Sequence, residues 1–343
     1  MDKISERKIK ILHAVVDEYI NRAEPVSSKE IQQKYLPSLS PATIRSELSA
    51  LEDMGYLVQP HVSAGRVPSS KAYKLYVDKL MHKKNLSPAE MKRIKEYLDD
   101  KMVKVEDIVR RTAKVISDIT NYTSVILLAN IEKVRIKEIK LVDLTDGSAL
   151  LIIITDSGII RDNILSVPED VGSTYVEVAN DLLNNIFAGK HLGEIEMPTE
   201  MVDGELNKFR ELFENVIEAI RRHSESRESV YLEGTSKMLD YPEYSGNIER
   251  VKGLLSVVDT KEKLASLMSA DEDDVSVAGS PIELTVKIDA DGTGELGDCS
   301  VIRAKYTVRG KEIGEVGVIG PTRMNYDKVV SVLDYITKTL NDE

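Results

Sequence analysis

The stretch SPATIRSELSALEDMG, residues 40–55, carries signals for both ends of one helix. Ser40 is a helix-capping residue, and Pro41 suits the first helical position because its missing N–H would have no partner there. Gly55 can adopt the left-handed conformation in which helices commonly end. The apolar residues of this stretch recur at spacings of four and three: Ile44, Leu48 and Leu51. The sequence therefore predicts a helix of fixed length with a single apolar face.

Two shorter signals predict two helices ahead of it. Ser5 can cap a first helix with one apolar face, made of Ile9, Leu12, Val15, Val16, Tyr19 and Ile20. Ser27 and Glu30 have the spacing of a capping box, in which each side chain bonds to the backbone N–H of the other. This second helix should end near Tyr35, because Pro37 disfavours helical geometry in the residue before it.

A predicted hairpin follows the three helices. Residues 56–58 and 66–68 have strand-like composition, and the segment between them is rich in Ser, Gly and Pro. Three helices that lead into a hairpin are the order of a winged helix-turn-helix. In that fold the third helix enters the major groove of DNA, and the hairpin lies along the phosphates or reaches the minor groove.

The face of the third helix opposite Ile44 is predicted to contact DNA. Its side chains are small or hydrogen-bonding and surround one long cation, which allows close approach to base edges. A solvated helix face would have a similar composition, so both interpretations stay open here. The residues assigned to DNA on this helix are Ala42, Thr43, Arg45, Ser46 and Ser49.

The hairpin loop is the second predicted DNA contact. Gly65 is expected to permit a positive φ at the tip, and Ser63 and Ala64 are small enough for close approach. His61 and Arg66 are expected to face the phosphate backbone.

Charge is distributed unevenly along the chain. The net charge of the whole chain is −12, but residues 1–84 hold 14 Lys and Arg against 10 Asp and Glu, a net of +4. The remainder holds 32 against 48, a net of −16. A mildly basic head on an acidic body can direct one face toward phosphates. Ordinary scatter would also produce a head of +4.

Four blocks carry a resemblance: SPATIRSELSALEDMGYL, PHVSAGRVPSSKAYKLYVDKLM, YLEGTSKML and IGPTRMNYDKVVSVL. They resemble the bacterial heat-inducible transcription repressor (HrcA) family, and the similarity runs across essentially the whole chain. The family more often has Met at position 48, Thr at 62 and Gly at 72. Val62 lacks the hydroxyl of that Thr, so it is not assigned a phosphate contact.

The resemblance implies a dimeric repressor that binds an inverted-repeat operator, called CIRCE, upstream of chaperone operons. It also implies that chaperonin keeps the repressor active and that heat shock relieves repression. For the fold, it implies a GAF-like domain interrupted by an inserted dimerisation domain.

Beyond the head, the pattern predicts an α+β body. Ser87 and Glu90 form a second capping box, and an antiparallel meander is expected from about 124 onward. Helices, then strands, then a final helix follow, so one domain is interrupted by an insert. The predicted domains are a winged helix-turn-helix at 1–84, a GAF-like first part at 85–167, an inserted dimerisation domain at 168–245 and a GAF-like second part at 246–343. Two amphipathic stripes, at 176–186 and 209–220, are expected to supply the dimer contact.

No sequence motif indicates an enzyme, a cofactor or a metal site. Residues 289–295 resemble a calcium loop, but Ser300 stands where that loop needs a bidentate Glu. Cys299 is the single cysteine, so neither an internal disulfide nor a Cys-rich zinc site is expected. No apolar run has the length of a membrane span, and the expected location is the bacterial cytoplasm, without a membrane partner.

Two other functions remain open from the sequence. A small molecule bound in the GAF-like domain could gate the regulator. Alternatively, the winged helix could bind a protein instead of DNA. Salt-sensitive binding to duplex DNA would argue against the second of these, because counterion release makes such affinity fall steeply with salt.

Overall fold

The computed structural model has a mixed α+β fold. It describes residues 4–81, 85–98, 105–128, 134–144, 147–156, 160–167, 173–197, 209–225, 230–278, 280–290, 299–308 and 311–341. Residues 82–84, at the end of the predicted head, and 291–295 of the calcium-like loop lie outside the described residues.

The head contains three helices and a two-stranded sheet in the predicted order, followed by a fourth helix. Its elements are α1 (Glu6–Arg22), α2 (Ser28–Lys34), α3 (Pro41–Asp53), β1 (Leu57–Val58), β2 (Val67–Pro68) and α4 (Ser70–Leu75), which continues as a π-helical turn over Tyr76–Leu80. The predicted caps are confirmed: the Ser5 and Ser40 side chains accept backbone N–H groups, and Ser27 and Glu30 form the capping box. Gly55 follows α3 with φ +76°.

The body begins with α5, whose predicted Ser87–Glu90 capping box is also present. Its elements in chain order are α5 (Pro88–Leu98), α6 (Val105–Thr120), β3 (Thr123–Leu128), β4 (Ile136–Asp143), β5 (Ser148–Thr155), β6 (Ile160–Ser166), α7 (Ser173–Phe187), α8 (Arg210–Glu225), β7 (Val230–Glu233), α9 (Pro242–Ser245), α10 (Ile248–Val258), α11 (Lys261–Met268), β8 (Val275–Ser276), β9 (Leu284–Ile288), β10 (Cys299–Val308), β11 (Lys311–Pro321) and α12 (Tyr326–Asn341).

The main sheet of the body has six antiparallel strands in the order β7-β3-β11-β10-β9-β8. Ile126, Ile302 and Val318 face a core shared with α5, α6, α12 and the head. Their neighbours Val125 and Val301 face α10 and α11. Because successive side chains alternate between faces, both sides of this sheet are covered by helices.

A second core lies in a separate lobe, made of β4, β5, β6, α7 and α8. The three strands form an antiparallel meander, and the two helices cover one of its faces. On α7, Asn184 and Asn180 bond to the N–H and C=O groups of Ile139 and Leu141 at 2.6–3.0 Å. These side chains occupy the hydrogen-bonding edge of β4 that no strand pairs with among the described residues.

Two predictions about the body are wrong. The meander does not start at 124, because β3 pairs with β11 and β7 in the main sheet. β3 is buried on both faces, so it fits an inner strand of a sheet with two covers. The two amphipathic stripes are also not available to a partner, since Leu183, Phe213 and Val216 are fully buried inside the lobe.

Candidate nucleic-acid interface

The position of α3 is fixed by its inner face. Ile44, Leu48 and Leu51 are at most 4% exposed and belong to the core that the head shares with the body. At the edge of α3, the Glu47 carboxylate accepts from Lys8 Nζ at 2.7 Å, and Arg7 lies at 3.4 Å. The apolar contacts and the ion pairs to α1 together hold the opposite face toward solvent.

That outer face presents the predicted set of side chains. Ala42, Arg45, Ser46 and Ser49 are exposed, and Thr43 is half-buried. The Thr43 hydroxyl lies 2.9 Å from that of Ser40, so it takes part in the helix cap. Arg45 forms no ion pair or hydrogen bond with any residue that the structure describes. Its guanidinium can therefore bind an external acceptor without first breaking an internal contact.

The loop between β1 and β2, residues 59–66, is called the wing loop below. Its shape is held by Gln59, whose Nε2 donates to the carbonyl oxygens of Val62 and Ala64, each at 3.0 Å. Val62 is 99% exposed at the tip, and His61 and Ser63 are exposed beside it. The role of Gln59 could not be predicted from the sequence, since a single amide in a polar loop carries no distinguishing pattern.

Gly65 is needed for a different reason from the one predicted. It does not adopt a positive φ. Instead, a Cβ at this position would lie 2.4 Å from the carbonyl oxygen of Val26, well inside van der Waals contact. The close approach follows from the bridge between Val26 and Arg66, whose backbones exchange two hydrogen bonds at 2.9 Å.

The side chain of Arg66 also differs from the prediction. It is 13% exposed and forms an ion pair with Glu52 of α3 at 2.7 Å. Its guanidinium is thus directed into the head, where it connects the wing loop to the end of α3. The physical reason is proximity: the return of the loop to Val26 brings Arg66 against α3, and a buried cation requires a partner.

A groove of about 450 Å³ lies between α2, α3 and the wing loop. It brings together five of the predicted DNA-contacting residues: Arg45, Ser49, Ser63, Gly65 and Arg66. The other four lie outside its lining: Ala42, Thr43, Ser46 and His61. Lys29, beside Ser28 of the groove, is exposed and forms no ion pair within the described part of the chain. It was not among the residues predicted to contact DNA.

Other classes of site receive no support from the geometry. Among the described residues, no group of His, Cys, Asp or Glu side chains is arranged to hold a metal ion. Within the same residues, no helix is long and apolar enough to cross a membrane.

Comparisons of the sequence with known proteins agree on one family. The family model described as "HrcA protein C terminal domain" matches residues 106–330. A protein named heat-inducible transcription repressor HrcA from Pelotomaculum thermopropionicum is 37% identical over 99% of this chain and 96% of its own length. Proteins of the same name from Symbiobacterium thermophilum and Carboxydothermus hydrogenoformans are each 38% identical over 99% of this chain and 98% of their own. A crystal structure titled as that of a hypothetical protein has the same fold, with a TM-score of 0.67 at 22% identity over 99% of this chain and 98% of that one.

Proposed function

This chain belongs to the HrcA family of heat-inducible transcription repressors, and we propose from that premise that it represses chaperone operons by binding an inverted-repeat operator of the CIRCE type. The observation that carries the proposal is Arg45, which is exposed on α3 beside the wing-loop groove and is unpaired among the described residues. A guanidinium in that position suits bidentate recognition of a guanine edge.

In this proposal, residues 1–84 form a winged helix-turn-helix domain and α3 is the helix that enters the major groove. Arg45 reads a base, and Ala42, Ser46 and Ser49 allow close approach, with Thr43 at the edge. His61 and Ser63 meet the sugar-phosphate backbone or the minor groove. Gly65 and Arg66 act indirectly, because they fix the shape of the wing loop.

A dimer is proposed because an inverted repeat presents two half-sites related by a two-fold axis. The surface best suited to a second copy is the face of the lobe sheet opposite α7 and α8, which we call the open face. Its apolar residues are Val142, Leu150, Ile152, Ile154, Ile160 and Ile164, and Glu138, Lys140 and Asp162 lie on its two outer strands. Val142 is 39% and Ile164 66% exposed, so an apolar sheet face is left without a cover within the described residues. Apolar patches of this kind mark interaction surfaces.

The register makes two rows of the open face complementary to the same rows of a second copy. Lys140, Ile152 and Asp162 lie in one row across β4, β5 and β6, and Val142, Leu150 and Ile164 lie in the next row. Two copies can pack with their open faces in contact, related by a two-fold axis parallel to the strands. In that arrangement β4 of one copy lies over β6 of the other. Lys140 then faces Asp162 of the second copy, and Val142 faces its Ile164. A perpendicular axis would instead bring like charges together, which is unfavourable.

We propose revised limits for the inserted dimerisation domain, predicted at 168–245. The lobe core runs from Ile136 on β4 to Ile220 on α8, so a boundary at 168 would divide it. An insert of about 134–225 keeps this core intact. The GAF-like body then consists of residues 85–128 and 230–341, whose strands form one sheet.

Family membership also supports the regulatory part of the proposal. The repressor acts in the cytoplasm, chaperonin keeps it active, and unfolded proteins that occupy chaperonin during heat shock relieve repression. Purified chaperonin should therefore raise the fraction of repressor that binds the operator, and an added unfolded protein should cancel that increase.

The central test uses the full chain and a duplex containing the inverted repeat upstream of a chaperone operon. We expect salt-sensitive, sequence-specific binding by a dimer in gel-shift and sedimentation experiments. Ile152→Asp should yield a folded monomer whose operator affinity is ~10²- to 10⁴-fold lower, because the second half-site is no longer bound intramolecularly. The matched control is Leu255→Asp on α10, where an apolar side chain is 44% exposed outside the lobe. Equal binding of operator and random duplex would refute the repressor proposal, and a dimeric Ile152→Asp variant would refute the interface.

The alternative of a small-molecule gate has one observation in its favour. A cleft of about 740 Å³ lies between the start of α5 and α12, lined by apolar side chains such as Leu86, Met91 and Ile282 with Asp334 and Lys338 nearby. This volume is within the range of ligand sites. The test uses the apolar probe anilinonaphthalene sulfonate and the variant Ile282→Trp. Saturable binding of the probe that changes operator affinity would favour the alternative, provided that Ile282→Trp abolishes this change.

A further inference from the structure

Two sequence blocks distant from α3 meet where the head contacts the body. Thr322, Arg323 and Asp327 come from IGPTRMNYD, which connects β11 to α12. Tyr241 and Glu243 lie two and four residues after the end of YLEGTSKML. Together they form the body side of a contact with the head that we call the joint.

Arg323 is the centre of the joint. Its Nε and Nη2 donate to the two carboxylate oxygens of Glu243 at 2.5 and 3.1 Å, and its guanidinium stacks on the Tyr241 ring at 5.5 Å. The remaining nitrogen, Nη1, donates to the carbonyl oxygen of Ile20 in the head at 3.2 Å. The side chains of Arg323 and Glu243 are only 11% and 17% exposed.

The Ile20 carbonyl is a suitable target for a cation. It lies in the last turn of α1, where carbonyl groups lack intrahelical partners and the helix dipole is negative. Glu243 holds the guanidinium plane in a fixed orientation, as bidentate pairs do. The head is therefore bound at one end of α1 by a group whose direction the body determines.

Two further contacts restrict rotation of the head. The Ser70 hydroxyl, at the start of α4, donates to Asp289, which also accepts from Thr322 at 3.2 Å. The Tyr76 hydroxyl lies 3.0 Å from a carboxylate oxygen of Asp17 in the head and 3.2 Å from one of Asp327 in the body.

Contacts at the end of α1 and along α4 define an orientation, because separate points of attachment remove rotational freedom. We propose that Arg323 is a positioning residue that holds the head at one angle on the body, and that the joint thereby sets the half-site spacing that a dimer accepts. The inference rests on the proposed operator function and deepens it. Arg323 itself lies outside the head and is not assigned to DNA.

The main variant is Arg323→Met with Glu243→Met. The double substitution removes the buried carboxylate together with its partner, so an unpaired charge does not destabilise the body. Arg323→Lys keeps the positive charge but loses the planar set of N–H groups. It should therefore keep the contact with Glu243 and the Ile20 carbonyl only in part. Arg222→Met, at an exposed position on α8, is the control.

Each protein is titrated with three duplexes: the operator, the operator with about five extra base pairs in its spacer, and a single half-site. Five base pairs rotate the second half-site by about half a helical turn. The unaltered protein should prefer the native spacer by at least ~10-fold, since the avidity gained from two half-sites depends on geometry. The double variant should lose most of this preference while its half-site affinity stays unchanged. An unchanged spacer preference would overturn the proposal.

A measurement without DNA separates this inference from the operator function. Nitroxide labels at Gln33→Cys in the head and Lys252→Cys on α10, both exposed positions, report the angle of the head. Labelled chains are diluted with unlabelled ones so that distances within one subunit dominate. We expect a single narrow distance in the otherwise unaltered protein and a broad distribution in the double variant. Equally narrow distance distributions in both proteins would overturn the proposed role of the joint, whether or not the protein binds an operator.

Discussion

Arg45 on α3 and Arg66 at the end of the wing loop line the same groove but are in opposite states. Arg45 is exposed and unpaired within the described residues, whereas Arg66 is 13% exposed and bound to Glu52. The two regions obtain their shape in different ways. The apolar inner face of α3 fixes the helix, so its outer face needs no polar contact within the head. The wing loop has little apolar surface and is held by hydrogen bonds and an ion pair.

This difference separates two roles for polar side chains near DNA. Residues on a helix with an independent apolar anchor remain available to a ligand. Polar side chains of a short loop instead bond to backbone and charged groups of the same domain, because those groups need partners when they are buried. The four predictions below test this distinction, beginning with the largest expected effect.

Gly65→Ala should disrupt the wing loop most strongly. The new methyl would lie 2.4 Å from the Val26 carbonyl oxygen, and the clash is with backbone atoms that cannot rotate away. We expect a loss of about 3 kcal/mol in the stability of the head, at the upper end for overpacking, measured by hydrogen exchange of α1–α3 amides. Gly246→Ala, where no atom lies within 4 Å, is the control and should be nearly neutral. Equal exchange in both variants would contradict the tight bridge.

Arg45→Ala should leave stability unchanged and weaken operator binding by about 2 kcal/mol if the guanidinium reads a base. The measurement is the ratio of affinities for the operator and a random duplex. Arg222→Ala on the exposed face of α8 controls for the loss of one positive charge. An equal loss on both duplexes would reassign Arg45 to a phosphate.

Arg66→Ala should have the opposite effects: a lower stability of the head, with the salt dependence of DNA affinity unchanged. The sequence predicts a phosphate contact and hence a shallower salt dependence, but the ion pair with Glu52 predicts an unchanged slope of affinity against salt. The stability of the head should fall by about 1 kcal/mol, because Glu52 loses its ion-pair partner. Glu52→Ala should reproduce that loss. A salt slope reduced by about one unit would return Arg66 to the phosphate backbone.

The smallest effect concerns the anchoring of α3 at acid pH. The hydrogen bond from Lys8 lowers the pKa of Glu47 below its ordinary value of 4.5. The folded pKa is below the unfolded one, so this contribution is present above pH 4.5 and is lost as pH falls through the folded pKa. Lys8→Met should reduce stability at neutral pH by about 0.5 kcal/mol and flatten the acid limb of a stability–pH curve. Lys10→Met, at an exposed position of the same helix, should do neither.

Most elements of the fold could be predicted from the sequence, because their signals are local. Ser27 and Glu30 fix the start of α2, and the strand stretches that become β9, β10 and β11 contain several Val, Ile and Thr residues. The partner of β3 could not be predicted, since pairing with β11 joins residues 186 to 196 positions apart, from Leu128 with Gly314 to Thr123 with Ile319. The same limit applied to the amphipathic stripes: periodicity shows that α7 and α8 bury one face, but not whether the cover is their own lobe or another chain.

The same division between local and long-range signals applies to the candidate site. The outer face of α3 follows from 3.6-residue periodicity, and Arg45 was found in this way. Gln59, Arg323 and Glu243 were not found, because their roles depend on partners in other segments.

The sequence by itself determined the helix caps at Ser5, Ser27 and Ser40, the exposed face of α3 and the family, since these depend on residues close together in the chain or on long ordered blocks. Only the tertiary structure decided that Arg66 is bound within the head, that Gly65 is required by Val26 and that the lobe leaves one sheet face open. The physical reason is that exposure and pairing are set by which distant surfaces meet. A charge or an apolar stripe has the same local signal whether its partner is solvent, the same chain or a ligand.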